Sequence, residues 1–218
     1  MLEILKLGDG NEYSKKEAVD RQKELVEYAS PAFLDAITAD PEAWLKDSRH
    51  CLLLGSLLKY CVGDELPVAF QAIAAVVGQL LDQDIRNMFS SQNEKVQFWV
   101  EQPAVHMVLK KLIQHDKTRQ QPPYFSQFLI DNVDEETIKG WLSCNRGAFL
   151  LVNMIETDIA SVKVAVTEKL KNLRKYLQKQ KNKGADLLDS KLTDFWERYW
   201  SPTFWLHMDF DGWCCLIS

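Results

Sequence analysis

The side chains able to do chemistry are few and scattered, with one exception. Five cysteines (Cys51, Cys61, Cys144, Cys214, Cys215) and four histidines (His50, His106, His115, His207) nowhere reach metal-ligand spacing. A structural zinc site takes four ligands at short intervals, and His50-Cys51 with Cys61 lacks two of them. His106 and Cys144 can be written as base and nucleophile, but nothing in the sequence orients the imidazole, and His106 falls on a helix whose other side is apolar. Carboxylates fall at the starts of helical segments, where they oppose the backbone dipole favourably. Neither glycine motif for nucleotides occurs. The expectation is a protein that is not an enzyme, with no metal, no cofactor and no small-molecule substrate.

The exception is a run of cations. Between Lys163 and Lys183 stand eight basic residues (Lys163, Lys169, Lys171, Arg174, Lys175, Lys179, Lys181, Lys183) against the single acid Glu168. The formal net charge of −5 therefore divides into +7 here and −12 elsewhere. On one helix, Lys171, Arg174, Lys175 and Lys179 share a face by their spacing. Such a row can track a phosphate backbone without base preference. The alternative is an ordinary solvated helix face followed by a basic loop. Lys110, Lys111, Lys117 and Arg119 form a weaker second cluster that extends the same surface or is simply surface lysine.

These residues must be placed by helices. Among 218 residues, 46% are hydrophobic and 26% charged, which supports a packed core rather than global disorder. Nine glycines and seven prolines are too few for a turn-rich β fold. Five scattered cysteines do not make a disulfide scaffold and point to a reducing compartment. No stretch reaches the roughly 18 apolar residues of a membrane-spanning helix, and the first residues lack the order of a signal peptide.

The helices are short, amphipathic and punctuated. Ser14 to Glu17 has capping-box spacing and opens a segment to about Ala29. Ser30-Pro31 and Asp40-Pro41 each read as an N-cap followed by proline at the first helical position. Cys51 to Cys61 is apolar on most sides, which predicts a buried helix ending at Gly63. Leu66 to Leu81 continues in that style. The polar stretch 82–97 reads as a joint, and Phe98-Trp99-Val100 as an apolar or strand-like connector. Pro103 starts a helix with Val105, Val108, Leu109, Leu112 and Ile113 at helical spacing. Later starts fall near Pro123, Asp134, Asn145 and Asp158, and past Gly184. Repeated helix pairs of about 35–45 residues, none able to bury its face alone, predict an all-α fold, an α-α superhelix.

Three blocks carry a family resemblance. Pro103 to Ile113, Cys144-Asn145-Arg146-Gly147-Ala148-Phe149-Leu150-Leu151 and Lys183-Gly184-Ala185-Asp186-Leu187-Leu188 resemble the C-terminal, CPL-type region of the Pumilio-like Puf-A (Penguin) family. The run Lys15 to Leu25, followed by Ser30-Pro31, is similar to the start of that region. The resemblance covers residues 13–192, after an N-terminal extension at 1–12. It implies a solenoid of degenerate Pumilio or armadillo-like repeats, a nuclear or nucleolar address, and RNA (or DNA) binding tied to ribosome production or translational control. Family members carry Pumilio repeats upstream that this chain lacks, so it resembles an isolated C-terminal module. Pumilio-type base reading uses side chains at fixed places on each repeat's second helix, and no such triplet aligns here. Backbone recognition without strong sequence specificity is the expected mode, with Lys163–Lys183, Lys110, Lys111 and Arg146 as contacts. A protein-interaction scaffold that binds no nucleic acid is the alternative.

Within the central block, Asn145 suits a helix N-cap. Gly147 and Ala148 suit the close approach of a neighbouring helix. Arg146 is placed to meet a phosphate, or a carboxylate such as Glu135 or Glu136. Residues 193–218 match nothing in the family. They hold Trp196, Trp200, Trp205 and Trp213 among further aromatics, a surface that must dock on the body or bind a protein partner. Cys215-Leu216-Ile217-Ser218 has the form of a prenylation signal at Cys215. The preceding Asp209-Phe210-Asp211 is acidic where a second membrane signal is basic, which argues against a membrane-anchored form.

Overall fold

The computed structural model describes residues 17–89, 97–119 and 121–199. Over these residues the chain forms twelve α-helices, no strand, and one isolated antiparallel bridge between Leu80 and Phe98. The helices are α1 (Ala18–Ala39), α2 (Pro41–Lys46), α3 (Ser48–Tyr60), α4 (Leu66–Val77), α5 (Gln83–Phe89), α6 (Pro103–Asp116), α7 (Phe125–Asp131), α8 (Glu135–Ser143), α9 (Asn145–Ile155), α10 (Ala160–Lys171), α11 (Arg174–Leu177) and α12 (Lys183–Tyr199).

The repeat is a triplet of helices, not the expected pair. The first helices α1, α4, α7 and α10 pack in succession, and so do the third helices α3, α6, α9 and α12. The second helices α2, α5, α8 and α11 are short links between the two rows. Three of them are anchored to the rows, α2 on α1, α3 and α4, α8 on α9 and α12, and α11 on α12. No triplet can bury both of its sides, so stacking of neighbours builds one continuous core from Leu34 to Leu192. Trp141, Phe70 and Phe125 are its largest fully buried side chains, and Phe70 meets the Phe125 ring edge-on at 5.4 Å. This is the α-α superhelix that the sequence predicts.

Local punctuation places several helices. Asp40 accepts from the amide of Ala43 with Pro41 at the first helical position. Asp47 caps α3 through the amides of Arg49 and His50, and Asp134 caps α8 through Thr137. Ser30-Pro31, in contrast, starts nothing: α1 runs through Pro31. The Ser30 hydroxyl donates to the Val26 carbonyl at 2.6 Å and accepts from the Val62 amide at 3.0 Å. With Leu34 and Ile37 fully buried beyond it, tertiary packing outweighs the roughly 3 kcal/mol cost of an interior proline. Ser14 and its capping box lie outside the described residues.

Helix α3 is not buried all round. Cys51, Leu54, Leu57 and Leu58 are buried, whereas Leu52 and Leu53 face solvent at 43% and 40% exposure. The polar stretch after Leu81 contains α5, with Ile85 buried, and the Leu81 amide donates to the Gln97 carbonyl at 3.0 Å. Phe98, Trp99 and Val100 are buried at the entry to a 3-10 turn, Trp99–Glu101.

Candidate nucleic-acid interface

The third helices run parallel, and their ends meet in register. At the C-terminal ends of α3 and α6, His115 Nε2 lies 3.1 Å from the Lys59 carbonyl oxygen. At the N-terminal ends of α6 and α9, Arg146 Nη1 donates to the Glu101 carbonyl at 2.6 Å. Where α9 meets α12, Asn145 Oδ1 accepts from the Gly184 amide at 2.9 Å. One edge of the superhelix is thus a line of helix N-termini joined by side chains of the Asn145-Arg146 pair.

These contacts give the central block its meaning. Asn145 does not cap its own helix. Cys144 does, its Sγ accepting from the Gly147 amide at 3.3 Å, while Asn145 reaches across to the first turn of α12. Asn182 caps α12 through the Ala185 amide at 2.9 Å and donates to the Leu142 carbonyl at 2.9 Å. Gly147 and Gly184 are required by proximity. A Cβ on Gly147 would lie 2.6 Å from the Trp141 Cα and carbonyl oxygen, and one on Gly184 would lie 2.9 Å from the Ala148 Cβ. The expected close helix approach is therefore present, and two of the three resemblance blocks touch each other. Arg146 meets a backbone carbonyl instead of Glu135 or Glu136, because those carboxylates pair with Lys139 at 3.0 and 2.7 Å.

His106 and Cys144 border the same edge without forming a catalytic pair. Burial, then the positive charges of Arg146 and Lys110, push His106 down to about 4. Its Nδ1 is buried with no hydrogen-bond partner among the described residues. Burial pushes the Cys144 thiol up to about 11, and Sγ donates to the Trp141 carbonyl. An imidazole of such low proton affinity is a weak base, and a thiol raised this far is a poor nucleophile.

The cations of 163–183 are not carried by one helix. α10 ends at Lys171, a turn at Asn172 and buried Leu173 follows, α11 spans only Arg174 to Leu177, and Lys179 lies in the next turn. The run is therefore not the single helix on which a shared face of Lys171, Arg174, Lys175 and Lys179 is expected, although all four are exposed and Leu170, Leu173 and Leu177 are buried across the turn. Lys163 pairs with Asp158 at 2.6 Å and Lys169 donates to the Val133 carbonyl, so both are engaged within the fold. Lys171, Arg174, Lys175, Lys179, Lys181 and Lys183 are exposed. All six come from the last repeat, on the end of α10, on α11 and the turns beside it, and at the start of α12.

Lys110 and Lys111 are exposed on α6, and Arg146 on α9, so these three belong to the third-helix row. Arg119, in the weaker cluster, is engaged internally, donating to the Pro123 carbonyl at 3.2 Å with its guanidinium over the Phe70 ring. The structure adds Arg49 and Lys59 of α3 to the exposed cations of this row. The signal available in the sequence was the lack of acids across α3 and α9. Cys215 and the tail from residue 200 lie outside the described residues, as do the side chains of 194–199. Among the described residues no group of three or more metal-ligating side chains converges, and no helix is long and apolar enough to cross a membrane.

Triplets of helices stacked into a superhelix with cations gathered on its last repeat define a Pumilio-like helical-repeat protein. The family model of the CPL (NUC119) domain matches residues 1–122, and the chain belongs to that family, as a Puf-A/Penguin-like CPL region. Pumilio homolog 3 of Danio rerio is 34% identical over 197 residues, covering 88% of this chain and 30% of the relative. Protein penguin of Drosophila melanogaster is 35% identical over 96 residues, 43% of this chain and 13% of the relative. The crystal structure of human Puf-A superposes with a TM-score of 0.67 at 31% identity, covering 87% of this chain and 36% of that one. Human Puf-A in complex with DNA gives 0.66 at 30%, with 87% and 34% covered. The chain thus spans about 30% of the length of the curated relatives that it matches along most of its own length.

Proposed function

We propose that this chain is a non-catalytic module that binds nucleic-acid backbones, RNA or DNA, without strong sequence preference. The carrying observation is that one repeat, the last, carries six exposed cations, Lys171, Arg174, Lys175, Lys179, Lys181 and Lys183, in a chain whose overall charge is −5. A relative of the same fold bound to DNA supports the ligand class. Cations on turns and helix ends can follow a phosphate chain without inserting anything between bases, which accounts for sequence tolerance. By kinship with Puf-A, the reading extends to RNA, a nuclear or nucleolar address, and a part in ribosome production or translational control.

Salt dependence tests it. Six phosphate contacts on a single strand give a log–log slope of about −4, so a fourfold rise in salt weakens binding about 300-fold. Replacing Lys175, Lys179, Lys181 and Lys183 by Glu leaves a slope near −1.4 and a fall of about sevenfold. Labelled single-stranded RNA and DNA titrated at two salt concentrations measure both. An unchanged affinity and slope in the fourfold variant refutes the reading.

A further inference from the structure

We propose that the outer face of the third-helix row docks an acidic peptide segment with aliphatic anchors, at a site separate from the cations of the last repeat. Across α3, α6 and α9 the only acidic residue is Asp116, which is buried with its carboxylate accepting from the Phe125 and Ser126 amides and the Ser126 hydroxyl. Five cations stand on the same three helices: Arg49, Lys59, Lys110, Lys111 and Arg146, all exposed. The acids at the helix ends are already engaged. Asp47 caps α3, Glu101 accepts from the Gln97 and Phe98 amides, and Glu156 pairs with Lys191 at 2.8 Å. These three helices thus carry five exposed cations and no exposed acid in a chain of net charge −5, so they attract negative partners and repel none by their own acids.

Their apolar content decides the kind of partner. Gly55 brings α3 close to α6, where Val108 Cγ1 would lie 3.0 Å from a Cβ on that glycine. Leu52, one turn before Gly55, and Met107, next to Val108, flank this crossing, and Met107 is 40% exposed. Leu53 is exposed on the same helix as Leu52, and Lys59, Lys110 and Lys111 are exposed on these two helices. Single-stranded nucleic acid stacks on successive aromatic platforms, and these helices expose one large aromatic side chain, Tyr60, with Lys59 over its ring, against the three aliphatic ones. A leucine-bearing acidic peptide gains from both components, since methionine adapts its shape to apolar guests. Third helices packed at about 8–10 Å put α3 and α9 roughly 20 Å apart. An extended segment at about 3.3 Å per residue crosses them with six to eight residues.

The probe is a fluorescein-labelled eight-residue peptide alternating glutamate with leucine, its glutamine counterpart, and a labelled uridine oligonucleotide, read by anisotropy at low salt. Lys110→Glu with Lys111→Glu, and separately Leu52→Ser with Met107→Ser, each weaken the acidic peptide at least tenfold. The Glu variant at Lys175, Lys179, Lys181 and Lys183 leaves it unchanged. All replaced residues are exposed, and circular dichroism verifies the helix content of each variant. Equal binding of the glutamine peptide overturns the proposal, and so does indifference to either double substitution. Loss of oligonucleotide rather than peptide binding on changing Lys110 and Lys111 overturns it too, in favour of a nucleic-acid face. Because the two sites are tested with different variants, failure here leaves the reading of the last repeat untouched.

Discussion

Gly147→Ala separates two opposed physical effects by sign. In an exposed helix interior this substitution stabilises by about 1 kcal/mol, since glycine loses more backbone entropy than alanine. At this position the added Cβ meets the Trp141 Cα and carbonyl oxygen at 2.6 Å and the Trp141 Cβ at 2.7 Å, all in the last turn of α8. Relief requires a separation near 3.4 Å, hence a shift of the order of 0.8 Å between α8 and α9. That shift is resisted. Trp141 is fully buried, and the Leu142 carbonyl beside it is held by Asn182 from the loop before α12. Overpacking of this kind costs about 2–3 kcal/mol. The net expectation is destabilisation by about 1–2 kcal/mol and a fall in Tm of several degrees for a chain of this size. Urea unfolding followed by circular dichroism, with unchanged m-value, is the measurement. A variant as stable as the parent, or more so, refutes the claim that Gly147 is there for close approach.

Two further outcomes follow from buried polar groups. Asp116→Ala strips both α7 amides at Phe125 and Ser126, together with the Ser126 hydroxyl, of their acceptor in a buried setting. It lowers stability by about 2–4 kcal/mol in the same urea assay, whereas an effect under 0.5 kcal/mol contradicts it. His106, held down to about 4 against an unfolded value near 6.5, contributes stability that is complete above about pH 6.5 and lost as pH falls through 4. Because the ring is only partly buried, that loss is about 1–2 kcal/mol after allowance for solvent screening. His106→Leu therefore shows a smaller drop in stability between pH 7.5 and 4.5 than the parent, and an equal drop rejects the assignment.

Much of the helical framework was legible because its signals are local. An acid followed by proline at Asp40-Pro41 starts a helix wherever it stands, since side chain and ring act on the same turn. The apolar period of Val105, Val108, Leu109, Leu112 and Ile113 names the buried face of α6 without reference to its neighbour, and all five are buried. The same logic failed at Pro31. Whether an interior proline breaks a helix depends on the distant Val62 amide that reaches Ser30 and on the burial of Leu34 and Ile37. Nor does that logic mark the break after Lys171, where a turn at Asn172 and Leu173 divides one apparent helix into two.

By itself, then, the amino-acid order determined an all-α solenoid, the family likeness and a chain whose charge is split between a basic segment and an acidic remainder. Periodicity, caps and composition are properties of neighbours along the chain, so they survive reading in one dimension. Only the tertiary structure decided that helices stack in threes and that Asn145 accepts from the first turn of α12 rather than capping its own helix. It alone also decided that Leu52, Leu53 and Met107 face solvent beside Lys110 and Lys111. Those outcomes depend on which helix covers which face. Residues far apart in the chain meet to settle it, as Gln71 and Asn132 do, and no local propensity specifies that choice.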